Sequence, residues 1–125
     1  MSNGEEGARR IARERRRQIQ QEGWSIDHDD KLVDNELAWA ALCYAAPEKV
    51  KMMRPGEDPD TVLLADPWPV KSSLVDKRRK GKRKVTRRQR IRDLEKAGAL
   101  IAAEIDRLLR AEEAAKSDES PREES

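Results

Sequence analysis

The apolar positions of this chain fall into three helical patterns separated by polar or proline-broken stretches. Within residues 5–22, Ala8, Ile11, Ala12 and Ile19 share one narrow face, and nearly everything else is Arg, Glu or Gln. So thin a face predicts a helix that is stable only when docked. Gly23 fits the position just past its C-terminus, and Trp24 follows as an anchor. Residues 25–33 read as a polar loop holding Asp27, His28, Asp29 and Asp30. Asp34 or Asn35 is a good N-cap for a second helix, with Glu36 in its first turn favoured by the dipole. That helix runs to about Ala46 and stops at Pro47. Leu37, Ala40, Ala41 and Tyr44 form one of its faces; Trp39, Leu42 and Cys43 cover another. A helix apolar almost all round predicts a central core helix whose alanines admit close neighbours.

Residues 47–76 carry no helical period. The stretches 49–53 and 61–65 are candidates for a short hairpin across 54–60. Pro67-Trp68-Pro69 is stiff and extended, because each proline restricts the residue before it, and Trp68 is expected against the helices. Thr86 with Gln89 three residues on is a capping-box pattern opening the longest helix, about 86–114. There Ile91, Leu94, Gly98, Ile101, Ile105 and Leu108 alternate spacings of three and four, widened by Ala97, Ala102 and Leu109. This predicts a buried stripe, with Gly98 at a close crossing onto the alanines of the second helix. The fold class that follows is all-α: a three-helix domain with an irregular loop, with room for a short hairpin, between helices 2 and 3. Residues 1–4 are expected to be a disordered start. Residues 5–115 form a single helical domain containing a basic segment at 77–92, and 116–125 form an acidic disordered tail.

Length and composition narrow the class. A chain of 125 residues fits one small domain, and the absence of Phe argues against a β-sandwich with an aromatic core. The longest apolar run, 37–46, has ten residues, too few to cross a bilayer. No apolar segment follows a basic start, so no secretory leader is expected. The single cysteine, Cys43, cannot form an internal disulfide, which fits a cytoplasmic location. In mid-helix among apolar residues it reads as an inert buried thiol. The net charge of +2 hides an asymmetry: residues 77–92 hold eleven Lys and Arg and no acid, leaving 16 basic against 25 acidic residues elsewhere. A block this dense attracts polyanions.

Five stretches carry a resemblance: ERRRQI at 14–19, EGWSIDHDD at 22–30, ELAWAALCYA at 36–45, DPWP at 66–69 and RDLEKAGALIAAEIDRL at 92–108. Together they resemble a set of small, mostly uncharacterised proteins encoded by phages and prophages. The resemblance implies a helical, cytoplasmic protein of the host–phage setting and brings no established activity. The chain departs from that pattern at Val70, where a second Trp is common, and in the unusually basic 77–84. A more distant likeness is to the all-α nucleotide pyrophosphohydrolases, which place Glu-x-x-Glu and Glu-x-x-Asp on two helices to hold Mg²⁺. Here that set is depleted: Glu36 has Ala40 where a partner would stand, and Glu95 and Glu104 lack an Asp three residues on.

Candidate chemistry is sparse. The basic side chains Lys77, Arg78, Arg79, Lys80, Lys82, Arg83, Lys84, Arg87 and Arg88 can contact phosphates through counterion release without reading sequence. Trp24, His28, Asp29, Asp30 and Trp68 form a second candidate group, a ligand pocket. Against it stand core packing for the tryptophans and helix capping for the Asp-His-Asp-Asp run. No Ser/His/Asp set, zinc spacing or phosphate loop is visible, so no catalytic residue, metal or cofactor is expected. The reading is a non-enzymatic phage- or prophage-type binding protein. Its partner would be nucleic acid or a nucleoprotein complex, or a host or phage protein, with no membrane. By analogy, inhibition of a host nucleic-acid-directed defence complex fits. The alternatives are a degenerate nucleotide-binding protein or Mg-dependent enzyme using Glu36, Glu104 and the 27–30 loop, and an assembly protein acting through helix pairing as a homodimer.

Overall fold

In a computed structural model of the protein, residues 4–79 and 85–119 are described. Expectations for 1–3, 80–84 and 120–125 lie outside the described residues. The chain forms α1 (Glu6–Gln21), α2 (Ile26–Asp30), α3 (Glu36–Ala45), β1 (Met52–Pro55), β2 (Val62–Ala65) and α4 (Arg87–Glu119). The protein is mostly helical. It is not strictly all-α, and four helices rather than three stand among the described residues.

The extra helix is α2, inside the stretch expected to be a loop. Ser25 makes it possible: its hydroxyl accepts the His28 N–H at 3.2 Å, satisfying one orphan donor of the first turn. Gly23 ends α1 in the left-handed region at φ +72°, as its position predicts. Asn35 stands at the N-cap of α3 with a left-handed backbone, and its side chain makes no cap bond. The Glu36 carboxylate instead accepts the Asp34 N–H at 2.6 Å. The last turn of α3 is closed from outside, because the Arg90 guanidinium donates to the carbonyls of Tyr44, Ala45 and Ala46. The capping box holds at α4: Thr86 Oγ1 accepts the Gln89 N–H at 3.1 Å, and Gln89 Oε1 accepts the Thr86 N–H at 3.0 Å. This helix runs on to Glu119, through the first residues expected to be tail, in a stretch of good helix formers braced by a Lys116–Glu112 pair.

The hairpin exists, displaced from its expected bounds. It is antiparallel, with Met52 opposite Ala65, Met53 opposite Leu64, Arg54 opposite Leu63 and Pro55 opposite Val62. Met53, Val62, Leu63 and Leu64 are all exposed, so it projects from the body of the protein.

The helix α4 is the spine on which α1, α2 and α3 each pack. Leu32, Leu37, Ala40, Ala41, Tyr44, Trp68, Leu74, Ala97, Leu100 and Ala103 form the core. This corrects the buried stripe. Ala97, Ala99, Leu100 and Ala103 face inward, whereas Ile91, Leu94, Ile101, Ile105, Leu108 and Leu109 are exposed. Short side chains let three helices approach α4 on one side, and the aliphatic side is left over. The Gly98 crossing is also reassigned: a Cβ there would meet Ile11 of α1 at 2.5 Å, not the alanines of α3. In α1, Ala8, Ala12 and Ile19 are exposed, and the buried residues are the polar Glu14 and Gln18. Ion pairing to α4 decides that orientation.

The Gly98–Ile11 contact yields a stability prediction. Gly98→Leu is expected to overpack this contact and cost about 1–3 kcal/mol, measured by urea unfolding. Adding Ile11→Ala should recover a substantial part of the loss. An unchanged midpoint for the single variant would place the crossing elsewhere.

Candidate ligand pocket and arginine surface

The tail of α1, the middle of α3 and α4, and the segment 66–77 close around a cavity of about 40 Å³. Trp24, Tyr44 and Trp68 are its aromatic walls, and Glu14, Arg17, Gln18, Glu22, Lys77 and Lys96 supply its polar atoms. Tyr44 and Trp68 meet edge to face, with ring centroids 5.7 Å apart. Most charges here are matched. Arg17 holds Glu14 at 2.6 Å and Glu22 at 3.0 Å, and Lys77 reaches Glu22 at 2.6 Å. Burial pushes the Glu14 carboxyl up, but hydrogen bonds from Arg17 and Arg92 outweigh it and hold the group below its ordinary range. Two atoms are unmatched. Gln18 is buried and its Oε1 has no hydrogen-bond partner among the described residues. Among the described residues, Lys96 has no carboxylate within ion-pair distance; its ammonium lies 5.4 Å from the Tyr44 ring centre, and burial lowers its pKa.

Of the five pocket candidates from the sequence, Trp24 and Trp68 line this cavity, and His28, Asp29 and Asp30 lie outside it. Trp24 stacks flat on His28, with centroids 5.6 Å apart. Asp29 is fully buried, bound by Arg15 at 2.6 Å and by His28 Nδ1 at 2.9 Å. Asp30 receives Arg110 at 2.8 Å. His28 Nε2 stands 3.0 Å from Ser73 Oγ. With Nδ1–H donating to the Asp29 carboxylate, Nε2 accepts from the Ser73 hydroxyl, which is the order of contacts in a serine nucleophile relay. The sequence reading finds no such set because Ser73 lies 45 residues away. Neither Ser73 nor His28 lines this cavity or the concavity described below. The relay ties α2 to the segment 66–79. Glu36 is occupied by the Asp34 N–H, and Glu104 by Arg107 at 2.5 Å. Among the described residues, no three His, Cys, Asp or Glu side chains gather as a metal-holding group.

The basic segment divides. Lys77 is bound to Glu22, and Arg79 to Asp93. Arg78 is clamped by Asp66 and Asp76, each at 2.8 Å, and lies 4.9 Å above the Trp68 ring. Arg90 and Arg92 also face inward, onto the end of α3 and onto Glu14. Lys80, Lys82, Arg83 and Lys84 lie outside the described residues. Arg87 and Arg88 are exposed on the first turn of α4.

A second positive surface has no counterpart in the sequence reading. A concavity of about 380 Å³ is lined by Arg10, Arg13, Arg16, Arg17 and Arg92, with Glu14, Glu95, Gln20 and Gln21. Arg10, Arg17 and Arg92 are paired with Glu6, Glu14, Glu22 and Glu95, whereas Arg13 and Arg16 take part in no ion pair among the described residues. Arg88 sits one turn before Arg92 and extends this surface along α4. The signal was available, since α1 places six arginines within 9–17. Comparison with known protein families, curated proteins and solved structures finds no match to this chain.

Two outcomes follow. Asp29→Ala leaves Arg15 and His28 without their shared acceptor and should cost about 3 kcal/mol in urea unfolding. Arg78 holds Asp66, and Lys77 with Arg17 holds Glu22, below the usual carboxylate range. Their contribution to stability is therefore complete above about pH 4 and is lost as pH falls through the depressed values. Melting temperature should drop through that acid window, and Asp66→Asn should shallow the drop.

Proposed function

We propose that this chain is a non-enzymatic, phage- or prophage-type binding protein that engages the phosphates of nucleic acid, free or within a nucleoprotein complex. The observation that carries the reading is the arginine-lined concavity between α1 and the start of α4. Guanidiniums are planar donors matched to phosphate oxygens, and the excess of positive charge around this recess comes from Arg13 and Arg16. Arg13 and Arg16 are the principal contacts, because no carboxylate among the described residues pairs with them; Arg87 and Arg88 extend the track. Lys77, Arg78 and Arg79 act as internal braces for the segment 66–79. Such a protein works by occupancy, and blocking a host nucleic-acid-directed complex is one use of it.

The test is retention on duplex DNA and RNA across a salt series. Binding should weaken linearly in the logarithm of salt concentration, by about 0.9 per phosphate neutralised on duplex DNA. Arg13→Gln/Arg16→Gln/Arg88→Gln should lower that slope by about two to three. Lys77→Gln/Arg79→Gln should leave it nearly unchanged. Retention indifferent to the triple variant would remove this reading.

A further inference from the structure

We propose that the exposed aliphatic side of α4 is the seat of a second copy of this chain, packed antiparallel. Leu94, Ile101, Ile105 and Leu108 alternate spacings of seven, four and three, and each is 44–52% exposed. With Gly98 they make the a and d positions of two continuous heptads. The one gap, at Gly98, is filled from α1, because Ile11 seats over that glycine. The result is an unbroken ridge of branched aliphatic side chains on a rigid helix. Monomers rarely leave a contiguous apolar surface of this kind open to water. Ile91 and Leu109 stand at its margins.

Charge decides who the occupant is and which way it runs. The exposed α4 start is basic, with Arg87 and Arg88; residues 111–118 carry Glu112, Glu113 and Asp118 against Lys116. A parallel partner would set like against like at both ends. An antiparallel copy sets the basic end beside the acidic end twice, and it aligns the two helix dipoles favourably. In antiparallel coiled-coil packing, a positions face d positions. Ile101 then faces Ile105 of the second copy, Gly98 with its Ile11 faces Leu108, and Arg88 comes level with Asp118. A foreign partner helix would need the same charge gradient reversed, and this chain already supplies it. The inference does not rest on the arginine concavity, which lies on the neighbouring face of α4 beside α1.

The experiment is light-scattering mass across a dilution series of the full chain, beside the variant Ile101→Glu/Ile105→Glu. The wild type should move from twice the 14.3 kDa chain mass toward the single mass on dilution. The variant should stay at the single mass with unchanged helical circular dichroism, because both positions are solvent-facing in one copy. Orientation is read by oxidation in a Cys43→Ser background. Ile101→Cys/Ile105→Cys should cross-link between copies, and Ile105→Cys alone should not. A wild type at the single mass at every concentration, or a charged variant that still pairs, overturns the interface. Efficient cross-linking of the single cysteine variant overturns the antiparallel arrangement.

Discussion

Everything in this fold depends on how little side-chain bulk α4 presents to its neighbours. Ala97, Ala99 and Ala103, with Leu100 as the one large residue among them, let α1, α2 and α3 all approach the same helix. Short side chains bring dispersion contact through proximity, not through area. The cost is a core with few large aliphatic groups, in which Leu37 and Leu100 are the only apolar side chains of size that are fully enclosed among the described residues. Polar pairs fill the remainder. Glu14, Gln18, Asp29, Glu104 and Arg107 are all buried, and four of the five are held by ionic or charge-assisted bonds. Such pairs add little net stability but penalise any arrangement that separates them, so they fix which face of α1 meets α4.

The same economy explains the fate of the basic segment. A protein with this small an apolar interior cannot bury the loop 66–79 by hydrophobic contact alone. It fastens it electrostatically, through Arg78 on Asp66 and Asp76, Lys77 on Glu22, and Arg79 on Asp93. Arg90 is consumed in closing the end of α3. Among the described residues, the positive run is therefore divided: Lys77, Arg78, Arg79, Arg90 and Arg92 brace the fold, and further arginines stand on the outer face of α1.

Local signals were legible in the sequence, and long-range ones were not. The Thr86–Gln89 box, the break at Pro47, the left-handed Gly23 and the tucked Trp68 follow from chemistry within a few residues, and the structure has all four. The short α2 escaped because its cap, Ser25, was read as loop. The inward face of α4 escaped for a deeper reason. Hydrophobic periodicity ranks faces by apolarity, whereas packing three partners against one helix selects the face with least volume. The two criteria pick opposite sides here. Of the candidate pocket, Trp24 and Trp68 were legible; Gln18 and Lys96 were not, since a lone polar residue acquires meaning only from what encloses it. The pairing of Ser73 with His28 is likewise invisible until the chain folds back on itself.

Trp68 has a consequence for how the protein can be observed. Its indole is shielded from water, pressed edgewise by Tyr44 and covered by the Arg78 guanidinium. Trp24 and Trp39 are only half-buried. The three indoles therefore emit in different surroundings, with Trp68 at the blue end of the ultraviolet fluorescence. A guanidinium lifting from its face changes both the wavelength and the yield of that light. The segment that Arg78 pins thus carries an intrinsic optical gauge of its own attachment, readable without any dye.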